Sequence, residues 1–90
     1  MELDQDALGE VVVRLKRAQG QIGGIIQMIE SGRDCTDVIT QLAAVSRALD
    51  RAGFKIIASG LQQCIAAENA GSPEAGVDRA QLEKLFLTLA

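Results

Sequence analysis

A helical pattern runs from Cys35 to Cys64 without a proline, in a chain of only 90 residues. A rod of that length dominates so short a chain. At 1.5 Å rise per residue it holds the two sulfurs roughly 43 Å apart, so the thiols of one chain cannot meet. Pairing of two such rods changes this. In an antiparallel pair, Cys35 of one chain lies beside Cys64 of the other; in a parallel pair, Cys35 lies beside Cys35. The pattern points to an inter-subunit dithiol site, and so to a sensor of thiophilic metal or of sulfur and oxidant chemistry.

The remaining pattern is also helical. Val11, Leu15, Ala18, Ile22, Ile25 and Ile29 recur at alternating gaps of four and three within a first helix expected over residues 5–30. Asp4 or Asp6 is a suitable N-terminal cap, and Ser31-Gly32 a suitable stop. Gly20, Gly23 and Gly24 each cost the helix roughly 1 kcal/mol relative to alanine, an expense that close approach of another helix would offset. A second helix starts near Asp34 or Cys35 and runs to about Ala67. Val38, Leu42, Val45, Leu49, Ala52 and Ile56 carry its stripe, and a kink is possible near Gly60. Asn69-Ala70-Gly71-Ser72-Pro73 breaks the chain. Asp78 then caps a short third helix with Leu82, Leu85, Phe86 and Leu89 on one face.

The expected class is all-α, with three helices in a single domain over residues 1–90. Apolar residues make up 48% of the chain, yet Phe54 and Phe86 are its only aromatics. Small aliphatic side chains suit helix–helix seams. One long helix in so small a chain also leaves apolar surface to cover, so self-association is expected, with two chains able to form a four-helix bundle. No apolar run approaches the ~18 residues that span a bilayer. The N-terminus is acidic and no apolar block follows it, so no secretory leader is expected. A cytoplasmic location and reduced thiols follow.

With no histidine and no G-x-G-x-x-G, P-loop, HExxH or Ser/His/Asp set, an enzyme is not expected. Two cysteines fall short of the four ligands that structural zinc wants. Two thiolates can hold Cu(I), though incompletely. Dithiol chemistry needs nothing more, so on residue types sulfur chemistry leads, Cu(I) follows, and no resident cofactor is expected. Cys35 falls in a first helical turn, where free backbone N–H groups favour negative charge. A buried, inert role is the competing reading for each cysteine.

The net charge of −3 argues against a general nucleic-acid coat, but the bases are clustered. Arg14, Lys16 and Arg17 lie on the first helix. Arg47, Arg51 and Lys55 form an i, i+4, i+8 stripe on the second, with Gln21 and Gln41 as polar neighbours. Such a cationic stripe can follow phosphates, although a solvated helix face is the commoner use of one.

The stretch Arg14-Leu-Lys-Arg-Ala-Gln-Gly-Gln-Ile-Gly-Gly-Ile, then Met28-Ile-Glu, then Asp34-Cys35-Thr-Asp-Val-Ile-Thr-Gln-Leu-Ala-Ala-Val, then Leu61-Gln-Gln-Cys64, resembles the CsoR/RcnR-type repressor family over about residues 8–67. The resemblance implies an antiparallel four-helix bundle dimer, usually a dimer of dimers. It implies a repressor that binds operator double-stranded DNA and releases it on inducer binding. Arg14 and Arg51 match family positions implicated in DNA binding. Lys16, Arg17, Arg47 and Lys55 are inferred as neighbours.

Cys35 and Cys64 match the two cysteines of the family's Cys–His–Cys copper set, but the histidine position is Gly60. That departure resembles the persulfide-sensing branch, in which di- or polysulfide bridges join thiols of neighbouring subunits. The implied inducer is persulfide or polysulfide, with Cu(I) at Cys35 and Cys64 as the alternative.

Overall fold

The computed structural model describes residues 2–90 as three helices: α1 (Gly9–Glu30), α2 (Cys35–Asn69) and α3 (Ala75–Leu89). All regular structure among the described residues is helical, as the sequence indicates.

Each junction has a local cause. Asp4 Oδ1 accepts hydrogen bonds from the backbone N–H groups of Asp6 (3.1 Å) and Ala7 (3.3 Å), which shapes a turn over residues 5–8. The α1 helix therefore starts at Gly9, four residues later than its periodicity suggests. It ends at Glu30, where Gly32 takes φ +77°. Arg33 N–H then donates to Met28 O at 2.9 Å, and Gly32 N–H to Ile29 O at 3.2 Å. This paired closure is the Schellman arrangement, which needs a left-handed residue at that position. The same closure recurs after α2. Gly71 has φ +87°, Ser72 N–H donates to Ala67 O at 2.9 Å, and Gly71 N–H to Glu68 O at 3.0 Å.

Asp34 caps α2 by accepting from Thr36 N–H at 3.0 Å, which leaves Cys35 as the first helical residue. The helix runs 35 residues, unbroken through Gly60, and ends at Asn69 rather than Ala67. The α3 helix starts earlier than expected. Glu74, not Asp78, holds the N-cap position, without a side-chain cap bond. Asp78 lies in the first turn, where its carboxylate faces the positive end of the helix dipole.

Two compact units share α2. One is Glu10–Ala52, which pairs α1 with the first half of α2. There Val11, Ala18 and Ile25, seven residues apart, are buried with Val45 and Ala52. The interleaved positions Leu15, Ile22, Ile29, Leu42 and Leu49 stay exposed, with Ile29 at 62% and Leu42 at 50%. The expected apolar seam thus divides. One half closes the α1–α2 hairpin, and the other faces outward. An ideal Cβ on Gly20, Gly23 or Gly24 meets nothing within 4 Å, so the close helix approach expected at these glycines does not occur within the chain.

The second unit joins Gly53–Ala90 to the N-terminal segment ending at Gly9. The α3 helix packs along the later part of α2 here. Ile57, Cys64 and Leu82 form its buried cluster, with Leu61 against them. Of the expected α3 face, Leu82 is buried while Leu85, Phe86 and Leu89 retain exposure. Among the described residues no helix is long and apolar enough to cross a membrane.

Candidate nucleic-acid interface and sensing thiols

The first unit carries a groove of about 320 Å³ lined by Glu10, Val13, Arg14, Arg17, Gln21, Ala48 and Arg51. Helical spacing builds it. Glu10, Arg14, Arg17 and Gln21 follow one another at gaps of three or four on α1, so they share a face. Arg51 arrives from α2, and the small side chain of Ala48 leaves the groove open. Three guanidiniums and one carboxylate thus converge in a protein of net charge −3.

Glu10 is the residue that sequence reasoning missed. Arg14 Nη2 donates to Glu10 Oε1 at 2.9 Å, an i, i+4 ion pair that the spacing alone could have revealed. Of the six cations singled out in the sequence, the groove gathers Arg14, Arg17 and Arg51. Lys16 and Arg47 are exposed elsewhere in the same unit, and Lys55 is exposed in the other.

The two cysteines differ in environment. Cys35 is exposed at the start of α2, while Cys64 is 4% exposed inside the α2–α3 cluster. A small groove of about 150 Å³ reaches Cys64, lined also by Gln63, Ser72, Glu74 and Asp78 among others. Among the described residues, no three or more Cys, Asp or Glu side chains of one chain come together as metal ligands. Two thiolates match a soft ion such as Cu(I) in donor type, and fall short in number of the four ligands that structural zinc takes.

The model of the family described as "Metal-sensitive transcriptional repressor" matches residues 8–89, nearly the whole chain. The chain belongs to that family. It is similar to the copper-sensing transcriptional repressor CsoR of Mycobacterium ulcerans, 44% identical over 54 residues, which cover 60% of this chain and 46% of that relative. It is also similar to the copper-sensing repressor RicR of Mycobacterium tuberculosis, 40% identical over 52 residues, 58% of this chain and 54% of that one. The chain spans about half the length of the curated relatives it matches. Among solved structures, the nickel-responsive transcriptional regulator InrS superposes with a TM-score of 0.79 at 30% identity, over 92% of this chain and 96% of that one. The helical architecture is therefore shared along almost the entire length of this family member.

Proposed function

We propose that this protein is a transcriptional repressor that binds operator double-stranded DNA and releases it when an inducer acts on Cys35 and Cys64. The observation that carries the DNA reading is the convergence of Arg14, Arg17 and Arg51 in one groove. Guanidiniums so placed follow phosphates, and Gln21 supplies a further donor. Lys16, Arg47 and Lys55 are exposed and add long-range attraction. The repressor works in the cytoplasm, beside the DNA it binds, and has no catalytic role.

Self-association belongs to the same reading. The outward half-seam of Leu15, Ile22, Ile29, Leu42 and Leu49 supports pairing of two hairpins into an antiparallel four-helix bundle, with a dimer of dimers beyond it. Antiparallel pairing is what would bring Cys35 of one subunit toward Cys64 of another.

Two inducers fit the thiols. The copper-sensing relatives support Cu(I), a soft ion that thiolates favour. Cys35 and Cys64 would hold it, and the shared metal would tie two subunits together. The absence of any histidine supports the second reading, persulfide. There the Cys35 thiolate takes the outer sulfur of a persulfide and releases a thiol. The Cys64 thiolate of another subunit then attacks the inner sulfur, releasing hydrosulfide and leaving a disulfide. Two persulfidated cysteines would instead give a trisulfide and hydrogen sulfide. Either link would shift the helices that carry the arginines, and couplings of this kind run about 1–3 kcal/mol.

Fluorescence anisotropy on the promoter DNA preceding the chain's own gene tests the repressor reading. Tight binding that both Cys35→Ala and Cys64→Ala make unresponsive to inducer is expected; release that survives both substitutions would discard the thiol site. Competition with a Cu(I) chelator and mass spectrometry after persulfide treatment separate the inducers. Sub-micromolar retention of Cu(I) selects the metal, and covalent inter-subunit species joined by a disulfide or a trisulfide after persulfide treatment select persulfide.

A further inference from the structure

The α3 helix lies over Cys64 and is held on either side of it. Leu82 of α3 is buried against Cys64 and Ile57. One turn before Leu82, Arg79 Nε donates to Glu68 Oε1 at 2.8 Å, and Glu68 lies one turn beyond Cys64 on α2. Arg79 Nη1 also donates to Glu83 Oε1 at 2.9 Å. At the far end, Phe86 meets Phe54 with ring centroids 5.2 Å apart. The small groove that reaches Cys64 is bordered by Glu74, Ala75 and Asp78, the start of α3. Glu2, Gln63, Ala67 and Ser72 complete its border, so the start of α3 forms one wall of the route by which a soluble reagent meets this sulfur, whereas Cys35 stands exposed.

We infer that Arg79 is a positioning residue, whose ion pair with Glu68 holds the start of α3 over Cys64 and so sets how often the thiol is open to its inducer. This rests on the reading of Cys64 as a sensing thiol and adds the control of access to it. The Arg79–Glu68 pair is long-range in sequence and ties one helix to the other; the bond to Glu83 stays within α3. Loss of the long-range pair alone frees the start of α3. The helix fluctuates away locally, and the open fraction governs the reaction at the sulfur beneath.

Alkylation of the reduced, full-length protein by iodoacetamide tests this, with Cys64 and Cys35 peptides quantified by mass spectrometry and Cys35 as internal reference. In Arg79→Gln the Cys64 rate should rise roughly two- to fivefold, the range of a partly exposed ion pair, while the Cys35 rate holds. Glu68→Gln should do the same, the double variant should add nothing further, and Arg79→Lys should restore most of the protection. An unchanged Cys64 rate in Arg79→Gln, or a rise shared equally by Cys35, would overturn the assignment. Inducer-driven DNA release that survives Cys64→Ser would instead remove Cys64 from the sensor and leave the positioning role standing.

Discussion

Phe54 and Phe86 pack with ring centroids 5.2 Å apart and planes inclined at 56°, so the chain's only two aromatic rings join α2 to α3. Tilted pairs of this kind contribute about 0.5–1.5 kcal/mol beyond their buried area. Phe86→Leu keeps most of the apolar bulk and loses the pair. A stability loss near ~1 kcal/mol is expected, which lowers the melting temperature by about 4–8 °C in thermal unfolding followed by circular dichroism.

The glycines divide by backbone conformation. A Cβ on Gly53 would fall 2.7 Å from Leu89 Cδ1, the far end of a flexible side chain at the close of α3. Leu89 can turn aside, and alanine gains about 1 kcal/mol of helix propensity, so Gly53→Ala should be neutral to stabilising by up to ~0.5 kcal/mol. Gly32 and Gly71, at φ +77° and +87°, have no such latitude. Alanine at either should cost about 1–2 kcal/mol, because a Cβ crowds the carbonyl in that region. Denaturant titrations of the three variants check the contrast.

The outward half-seam predicts its own disruption. Ile22 and Leu49 are each 42% exposed in the single chain. Covering such a side chain in a partner interface gains up to about 1.5–3 kcal/mol, and a carboxylate placed there forfeits that and must be desolvated. Ile22→Glu and Leu49→Glu should shift sedimentation velocity profiles to the smaller species while helix content by circular dichroism stays near the parent's.

In the cationic groove, Arg51→Ala should weaken operator binding and flatten the dependence of log K on log salt by about 0.9 for each phosphate the protein ceases to neutralise. Glu10→Gln should act in the opposite direction. It removes the carboxylate that competes with phosphate for Arg14, and affinity should rise by roughly 1.5- to threefold, the scale of an exposed i, i+4 pair. Anisotropy titrations over a salt series measure both.

The legible part of this protein is local. Gaps of three and four, Asp34 before Cys35, Gly32 and Gly71 at chain reversals and Pro73 in the break all act within a few residues, so the three helices could be read before any packing was known. Family kinship was legible for the same reason, since its motifs are short and ordered along the chain. The shift of α1 to Gly9 and of α3 to Ala75 lay just beyond that reach, because the turn closed by Asp4 and the entry at Glu74 follow no apolar period.

The sequence by itself determined the helices, their stops and the cation-bearing faces, because these depend on backbone hydrogen bonds spanning at most five residues. Only the tertiary structure decided which half of each apolar stripe closes the hairpin and which stays outward. It alone decided that Arg51 of α2 joins Glu10, Arg14 and Arg17 of α1 in one groove, and that α3 covers Cys64 while Cys35 remains open. Those outcomes depend on packing between residues far apart in the chain, where burial of one side chain is set by the shape of another element, and periodicity carries no record of that choice.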